Sequence, residues 1–148
     1  MIALLQRVTR GSVRVDAQCV GSIERGAVVL LGIGKDDNAQ AAARLAAKVA
    51  KYRFFPSEDG TKPMHQSLLD LGLAALVVSQ FTLCADTRKG LRPGFDPAAD
   101  PSLAEPLYEL FCEELSAAGV CQVERGRFRA MMQVELVNDG PVTLWLES

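Results

Sequence analysis

The apolar run over residues 73–78 constrains the fold of this chain more than any other segment. Its sequence, Leu-Ala-Ala-Leu-Val-Val, is short, uninterrupted and β-branched at its end, a combination that is typical of a buried β-strand. Polar side chains follow where this strand leaves the core, namely Ser79, Gln80 and Thr82. Such side chains mark either a functional edge of the sheet or an ordinary polar rim, and the residue types alone favour the rim.

Further strands are predicted near both ends of the chain. Apolar segments at 3–9, 12–15, 19–23 and 27–33 predict an antiparallel meander with turns at 10–11 (Arg-Gly) and 24–26 (Glu-Arg-Gly). Two more strands, over 132–137 and 142–146, are expected to be joined by a turn at 138–140 (Asn-Asp-Gly).

Two helices are predicted between these strands. The first covers residues 39–51, with capping side chains at 36–38 (Asp-Asp-Asn), and a short strand over 52–55 is expected to follow it. The second begins at the capping-box pattern Ser102-Leu103-Ala104-Glu105 and ends at Gly119. The alternation of strands and helices predicts one α/β domain over residues 1–148.

Composition excludes several classes of function. The net charge of −2 gives no global attraction for nucleic acid, so any such contact must be local. The four cysteines show no paired spacing and His65 is the only histidine, so we expect reduced thiols, no metal site and no cofactor. The apolar stretch 2–5 is too short for a signal peptide or a membrane span, which predicts a cytoplasmic protein without a membrane partner.

Two segments at the ends of apolar runs resemble the paired signatures of the D-aminoacyl-tRNA deacylase family. The first, called here the Ser-Gln-Phe-Thr segment, consists of Ser79, Gln80, Phe81 and Thr82. The second, called the Gly-Pro segment, consists of Gly140, Pro141, Val142 and Thr143. The likeness extends over the whole chain, from residues 6–9 (Gln-Arg-Val-Thr) through 85–90 (Ala-Asp-Thr-Arg-Lys-Gly) to Met132 and Trp145.

The resemblance implies a fold and an activity. The fold would be a mostly antiparallel or mixed, curved and barrel-like sheet with two main helices packed outside it, in a homodimer whose active site lies at the subunit interface. The activity would be that of a hydrolase acting on carboxylic esters, which releases the amino acid from D-aminoacyl-tRNA and from mischarged glycyl-tRNA. Its partner would be the 3′-terminal aminoacyl-adenosine of the tRNA.

The resemblance also implies roles for individual residues. The backbone N–H of Phe81, with that of Thr82, would bind the oxyanion of the ester, and Ser79 and Gln80 would position the adenosine. Attack by the Thr82 hydroxyl is less favoured because no base is predicted beside it, which leaves water assisted by the ribose 2′-hydroxyl. A cis bond between Gly140 and Pro141 would direct two carbonyls into the partner's pocket and exclude L side chains.

Five further residues complete the binding site that the resemblance implies. Arg7 would brace the Gly-Pro segment, and Met132 would pack near it. The cluster called here the basic loop, Arg88, Lys89 and Arg92, would contact phosphates of the tRNA acceptor end.

The chain departs from the family pattern at residues 61–67 and at Arg129. At the position of Arg129 the family often has a small residue. A large cation at Arg129 would change the pocket rim or add a phosphate contact. The alternative functions are an L-selective editing deacylase, a tRNA-binding module without catalysis, and a purely structural dimer.

Overall fold

Six β-strands form one mixed sheet, accompanied by three α-helices, in a computed structural model that describes residues 1–148. The strands are β1 (Ile2–Val15), β2 (Gln18–Ile23), β3 (Gly26–Gly32), β4 (Ala74–Ser79), β5 (Val123–Arg125) and β6 (Gln133–Glu147). The helices are α1 (Ala39–Lys51), α2 (Leu68–Leu71) and α3 (Pro101–Ala117), and a 3₁₀ turn covers Phe81–Cys84. None of the helices is both long enough and apolar enough to span a membrane.

The sheet combines antiparallel and parallel pairs and nearly closes into a barrel. β1 pairs antiparallel with β2, β3 and β6, whereas β3 and β5 both pair parallel with β4. A Cβ atom added to Gly21 in β2 would lie 2.8 Å from the carbonyl oxygen of Arg125 in β5, so these two strands approach each other closely. The predicted single α/β domain with a barrel-like mixed sheet is confirmed.

Alternate side chains of β4 enter two different apolar clusters, as the two-residue period of a strand requires. Ala75 and Val77 belong to the larger cluster, which α1 and α3 cover from outside the sheet. Leu76 and Val78 belong to the smaller cluster inside the barrel. Both faces of β4 are therefore buried, which is why its sequence is an unbroken apolar run.

The predicted antiparallel meander at the beginning of the chain is wrong in two respects. Residues 2–15 form one continuous strand, with an irregularity in register around Val8 and Arg10 instead of a turn. β3 pairs with β1 and not with β2. Gly11 lies inside the strand because β1 passes close to β3, where an added Cβ would be only 2.8 Å from the Val28 side chain. The glycine thus marks a close approach instead of a chain reversal.

The predicted hairpin at residues 138–140 is also wrong, because β6 continues from Gln133 to Glu147. Its register against β1 jumps between the pairs Val8↔Asn138 and Gln6↔Thr143, so residues 139–142 bulge out of the pairing. The Asn138 side chain closes the bulge by donating from Nδ2 to the carbonyls of Arg7 (3.0 Å) and Val142 (2.9 Å). The residues that favour a turn form a bulge here, because the two Asn138 side-chain hydrogen bonds replace backbone hydrogen bonds that the bulge interrupts between β1 and β6.

The two predicted helices are present, and they agree with the sequence except at the start of α3, whereas the short helix α2 was not predicted. Asn38 caps α1 by accepting from the Ala41 N–H at 3.0 Å, as predicted. α3 begins at Pro101 after Asp100, and the expected capping box at Ser102 does not form. A proline fits the first helical position, because the backbone N–H that it lacks would have no partner within the helix there. The short strand predicted over 52–55 is reduced to one isolated bridge between Phe55 and Gln66.

Candidate active site

A pocket of about 540 Å³ lies where β4 ends. The strand delivers the first three residues of the Ser-Gln-Phe-Thr segment to it, and apolar side chains from β3, α3 and the loop before β6 form the rest of the wall. The lining residues are Leu31, Ile33, Val78, Ser79, Gln80, Phe81, Ala99, Pro101, Ala104, Phe128, Arg129, Ala130, Met131, Met132 and Val134. The pocket is therefore mainly apolar with a polar edge, as is common for small-molecule sites.

Two free backbone donors lie at the polar edge, one on Phe81, which lines the pocket, and one on Thr82, the next residue. The N–H of Gln80 donates to the Leu31 carbonyl at 2.8 Å, and the N–H of Leu83 donates to the Gln80 carbonyl at 3.2 Å. Between them, the N–H groups of Phe81 and Thr82 have no acceptor within the chain, as expected for the first residues of a 3₁₀ turn. Two adjacent free N–H groups are the arrangement that can bind an anionic oxygen.

Gly32 allows the 3₁₀ turn to approach β3. A Cβ atom added there would lie 2.9 Å from the Leu83 Cβ and 3.3 Å from the Gln80 carbonyl oxygen. Any larger residue would push the turn, and with it the two free N–H groups, away from the sheet. The position of the donors thus depends on the missing side chain of Gly32.

No side chain that could act as a catalytic base lines the pocket. Arg129 is the one ionisable residue in the wall. The Thr82 hydroxyl accepts a hydrogen bond from Gln80 Nε2, and His65 lies in a separate polar cavity with Ser57 and Lys62. Cys84, which follows the segment, is buried, and this burial raises the pKa of its thiol, so it is not poised as a thiolate.

The Gly-Pro segment lies in the bulge of β6 and is held by Arg7. The Arg7 side chain, which is only 9% exposed, donates from Nε to the Asp139 carbonyl (3.1 Å) and from a terminal nitrogen to the Phe54 carbonyl (2.9 Å). Gly140 has a φ of +127°, and its peptide bond to Pro141 is cis. Val142 is buried, whereas Gly140, Pro141 and Thr143 are exposed.

The two segments lie in different places within one chain. No residue of the Gly-Pro segment lines the pocket, and neither does Arg7. Met132 lines the pocket immediately before β6, whereas Gly140 lies eight positions further along the sequence. At roughly 3.3 Å per strand residue, this spacing corresponds to about 25 Å. Met132 is therefore far from the Gly-Pro segment along β6, and the pocket beside the Ser-Gln-Phe-Thr segment contains no residue of the Gly-Pro segment of the same chain.

The basic loop lies outside the pocket wall but is connected to it. Hydrogen bonds between Asp86 and Gly94, 2.8 and 2.9 Å long, close the base of the loop, and the next residue, Phe95, packs edge-on against Phe81 at 4.9 Å between ring centroids. Arg88 is already engaged, because it donates to both carboxylate oxygens of Asp86, and these bonds hold the pKa of Asp86 well below its usual range. Lys89 and Arg92 are exposed and belong to none of the chain's ion pairs.

Sequence reasoning missed two contributors to these sites. Asn138, interpreted as a turn residue, closes the bulge around the Gly-Pro segment. Phe128, Ala130 and Met131, on the loop before β6 beside the expected Arg129, form part of the pocket wall. No local signal distinguishes an asparagine in a bulge from one in a turn, and the wall residues can be recognised only when β4 and β5 are known to be neighbours.

Comparison with known proteins identifies the family. The family model described as D-Tyr-tRNA(Tyr) deacylase matches residues 4–147. The chain is 53% identical to a D-aminoacyl-tRNA deacylase of Fervidobacterium nodosum, covering all of this chain and 97% of that one. It is 50% identical to a D-aminoacyl-tRNA deacylase of Vibrio cholerae, with both chains fully covered.

Solved structures share the fold. One, described as c-Myc DNA Unwinding Element Binding Protein, matches with a TM-score of 0.94 and 40% identity, covering 100% of this chain and 99% of that one. Another, a probable eukaryotic D-amino acid tRNA deacylase, has a TM-score of 0.88 at 19% identity, with 99% and 98% covered, and supports the fold alone. By the family model and the curated relatives, this chain belongs to the D-Tyr-tRNA(Tyr) deacylase family, whose members are hydrolases that act on ester bonds.

Proposed function

We propose that this protein hydrolyses the ester bond of D-aminoacyl-tRNA, and of mischarged glycyl-tRNA, to free amino acid and tRNA. The observation that carries the proposal is the pair of free N–H groups at Phe81, which lines a pocket whose wall contains no catalytic base, and at the adjacent Thr82. Membership of a deacylase family supplies the substrate class.

The two N–H groups are proposed to bind the ester carbonyl oxygen as it becomes negatively charged. A backbone donor that is already fixed in place needs no reorganisation during the reaction, and one such donor typically lowers the barrier by about 3 kcal/mol. Ser79 and Gln80, which line the same edge, are proposed to position the terminal adenosine. The Phe81 ring, which is 57% exposed, would form a wall beside it.

Water is the proposed nucleophile. Its oxygen attacks the carbonyl carbon, the bond between that carbon and the ribose oxygen breaks, and the ribose oxygen takes up a proton as the amino acid leaves. The ribose 2′-hydroxyl of the substrate lies next to the reacting ester and is the proposed proton carrier. This route fits a pocket whose wall contains no histidine, carboxylate, thiol or amine side chain.

The complete site is proposed to form between two copies of the chain, with the Gly-Pro segment of each copy facing the pocket of the other. The separation of the two segments in one chain supports this pairing. So do the exposed apolar side chains of β6, among them Val134, Val137 and Trp145, because a homodimer interface is typically rich in such residues. The carbonyl oxygens of Gly140 and Pro141 would stand beside the substrate Cα and exclude an L side chain, while Arg7 and Met132 support the two halves.

The basic loop is proposed to bind the tRNA acceptor end, in the cytoplasm where tRNA is charged. Lys89 and Arg92 are the stronger candidates, because the Arg88 guanidinium already has a carboxylate partner. Because the whole protein is slightly acidic, the contact would be local, and affinity would fall as the salt concentration rises.

The test is release of amino acid from matched D-tyrosyl-, L-tyrosyl- and glycyl-tRNA by the purified protein. We expect rapid hydrolysis of the D-tyrosyl and glycyl esters and little hydrolysis of the L-tyrosyl ester. Preference for the L ester would support an L-selective deacylase instead. Binding without release, by protein shown to be folded, would support a tRNA-binding module and contradict the proposal.

A further inference from the structure

Arg129 occupies a turn position that its own backbone disfavours. The Ala130 N–H donates to the Arg127 carbonyl at 3.2 Å, which closes a four-residue turn with Phe128 and Arg129 in the middle. Arg129 has a φ of +60° at the third position, where glycine is the usual residue. A side chain in this left-handed conformation makes the folded state less stable than glycine would. Folding therefore does not explain the arginine.

The turn is firmly placed beside the pocket. Gly126, just before it, donates its N–H to the Val77 carbonyl of β4 at 2.8 Å, and the Phe128 ring packs 5.8 Å from the Tyr108 ring. Tyr108 is buried and in turn donates its hydroxyl to the same Val77 carbonyl at 2.9 Å. These contacts fix the backbone on either side of Arg129, so its side chain lies at the rim of the pocket.

The Arg129 guanidinium also forms no ion pair within the chain. Arg129 is exposed, and it is the only charged residue in the pocket wall. Its apolar neighbour Met131 is 93% exposed, so nothing from the same chain covers this part of the rim. An unpaired guanidinium at the mouth of an apolar pocket is suited to an anionic group of the ligand.

We propose that Arg129 binds the phosphate immediately preceding the aminoacylated terminal adenosine of the tRNA. This inference rests on the proposed function, because it places the adenosine at the Ser-Gln-Phe-Thr segment. With the base of the adenosine seated in the pocket, its 5′-phosphate would lie at the rim beside Arg129. The alternative anion is the carboxylate of an acidic amino acid. The rim position disfavours it, because the amino acid is on the reacting side of the ribose.

The experiment compares wild type with Arg129→Gly, Arg129→Lys and the control Arg127→Ala, which removes an exposed arginine of the same turn that does not line the pocket. With D-tyrosyl-tRNA, Arg129→Gly should raise KM roughly tenfold and flatten the slope of log KM against log salt by about 0.7, the value for one phosphate on a single strand. Arg129→Lys should keep the wild-type slope, and Arg127→Ala should keep both quantities. The melting temperature of Arg129→Gly should not fall, because glycine tolerates the turn.

Two substrate changes identify the anion. Replacing the last internucleotide phosphate of D-tyrosyl-tRNA by a neutral methylphosphonate should raise KM for wild type but not for Arg129→Gly. Arg129→Gly should raise KM by the same factor for D-tyrosyl-tRNA and for D-aspartyl-tRNA. An effect confined to D-aspartyl-tRNA, equal sensitivity of both proteins to the methylphosphonate, or an unchanged KM in Arg129→Gly would overturn the inference. Failure of wild type to hydrolyse any D-aminoacyl-tRNA would instead contradict the proposed function.

Discussion

At the end of β4 two backbone N–H groups have no acceptor, whereas in the bulge of β6 neighbouring side chains satisfy the interrupted backbone. The 3₁₀ turn at Phe81 is exposed and open to a ligand. The bulge at Gly140 is tied by Asn138 from one side and by the buried Arg7 from the other. The backbone of the first region is therefore left with free donors, whereas the backbone of the second is braced from both sides.

Among the substitutions considered, loss of Arg7 should have the largest effect on stability and on hydrolysis. Arg7→Ala removes the donors to the Asp139 and Phe54 carbonyls and leaves the latter buried without its partner. We expect a loss of about 2–4 kcal/mol in the free energy of unfolding, measured with urea, and loss of most D-aminoacyl-tRNA hydrolysis. Arg7→Lys should recover only part of both, because an ammonium cannot reach both carbonyls as a guanidinium does. If Arg7→Ala had the free energy of unfolding of the wild type, the bulge would not depend on the hydrogen bonds from Arg7.

Substitution of Gly140 tests the same region more locally. In Gly140→Ala, the new Cβ would lie 2.8 Å from an Arg7 nitrogen and 2.7 Å from a Val142 methyl group, at a φ of +127°. We expect unfolding to become easier by about 2–3 kcal/mol and the preference for D- over L-tyrosyl-tRNA to decrease. Gly72→Ala is the matched control, because Gly72 also has a positive φ but has no atom within 4 Å of the added Cβ. It should cost about 1 kcal/mol and leave the preference intact.

Gly32 offers the corresponding test of the open region. Gly32→Ala should push the 3₁₀ turn outward and lower kcat roughly tenfold to a hundredfold, while the free energy of unfolding falls by only about 1–2 kcal/mol. In the control Gly34→Ala, the nearest atoms would be 3.5 Å from the new Cβ, an ordinary contact, so kcat should not change. A normal kcat in Gly32→Ala would mean that the two N–H groups do not bind the reacting carbonyl.

The smallest effect is expected at the Thr82 side chain. Thr82→Val keeps the shape of the side chain and its backbone N–H but removes the hydroxyl. We expect less than about a tenfold change in kcat, because the proposed role of Thr82 lies in its backbone. A loss of a thousandfold or more in single-turnover hydrolysis of D-tyrosyl-tRNA would assign the hydroxyl a direct part in the attack.

Local sequence patterns predicted the elements better than their connections. The run at 73–78 forms a strand and Asn38 caps α1, as their local patterns predict, because burial and capping act over a few residues. The local patterns at Gly11 and Asn138 predict turns that do not form, since glycine and asparagine occur both where a chain reverses and where a strand bulges or packs closely. Which of these occurs depends on β3 and β6, strands distant in sequence from the residue concerned.

For the candidate site, the sequence motifs identify the two segments, but they do not predict that the segments lie apart in one chain. The polar end of β4 could be expected from the sequence, whereas the pocket wall at residues 128–131 depends on the parallel pairing of β4 with β5. The sequence marks Arg129 only as a large residue where the family often has a small one, whereas its left-handed backbone arises from the turn closed between Arg127 and Ala130.

The distance between the pocket and the bulge along β6 has a genetic consequence under the proposed pairing. In a two-fold symmetric dimer, each pocket receives the bulge of the other chain. A chain with a defective pocket, mixed with a chain with a defective bulge, would therefore assemble one site that contains both defects and one that contains neither. Two inactive variants should complement each other when they are unfolded and refolded together, and activity lost by each separately would return in the mixed dimers.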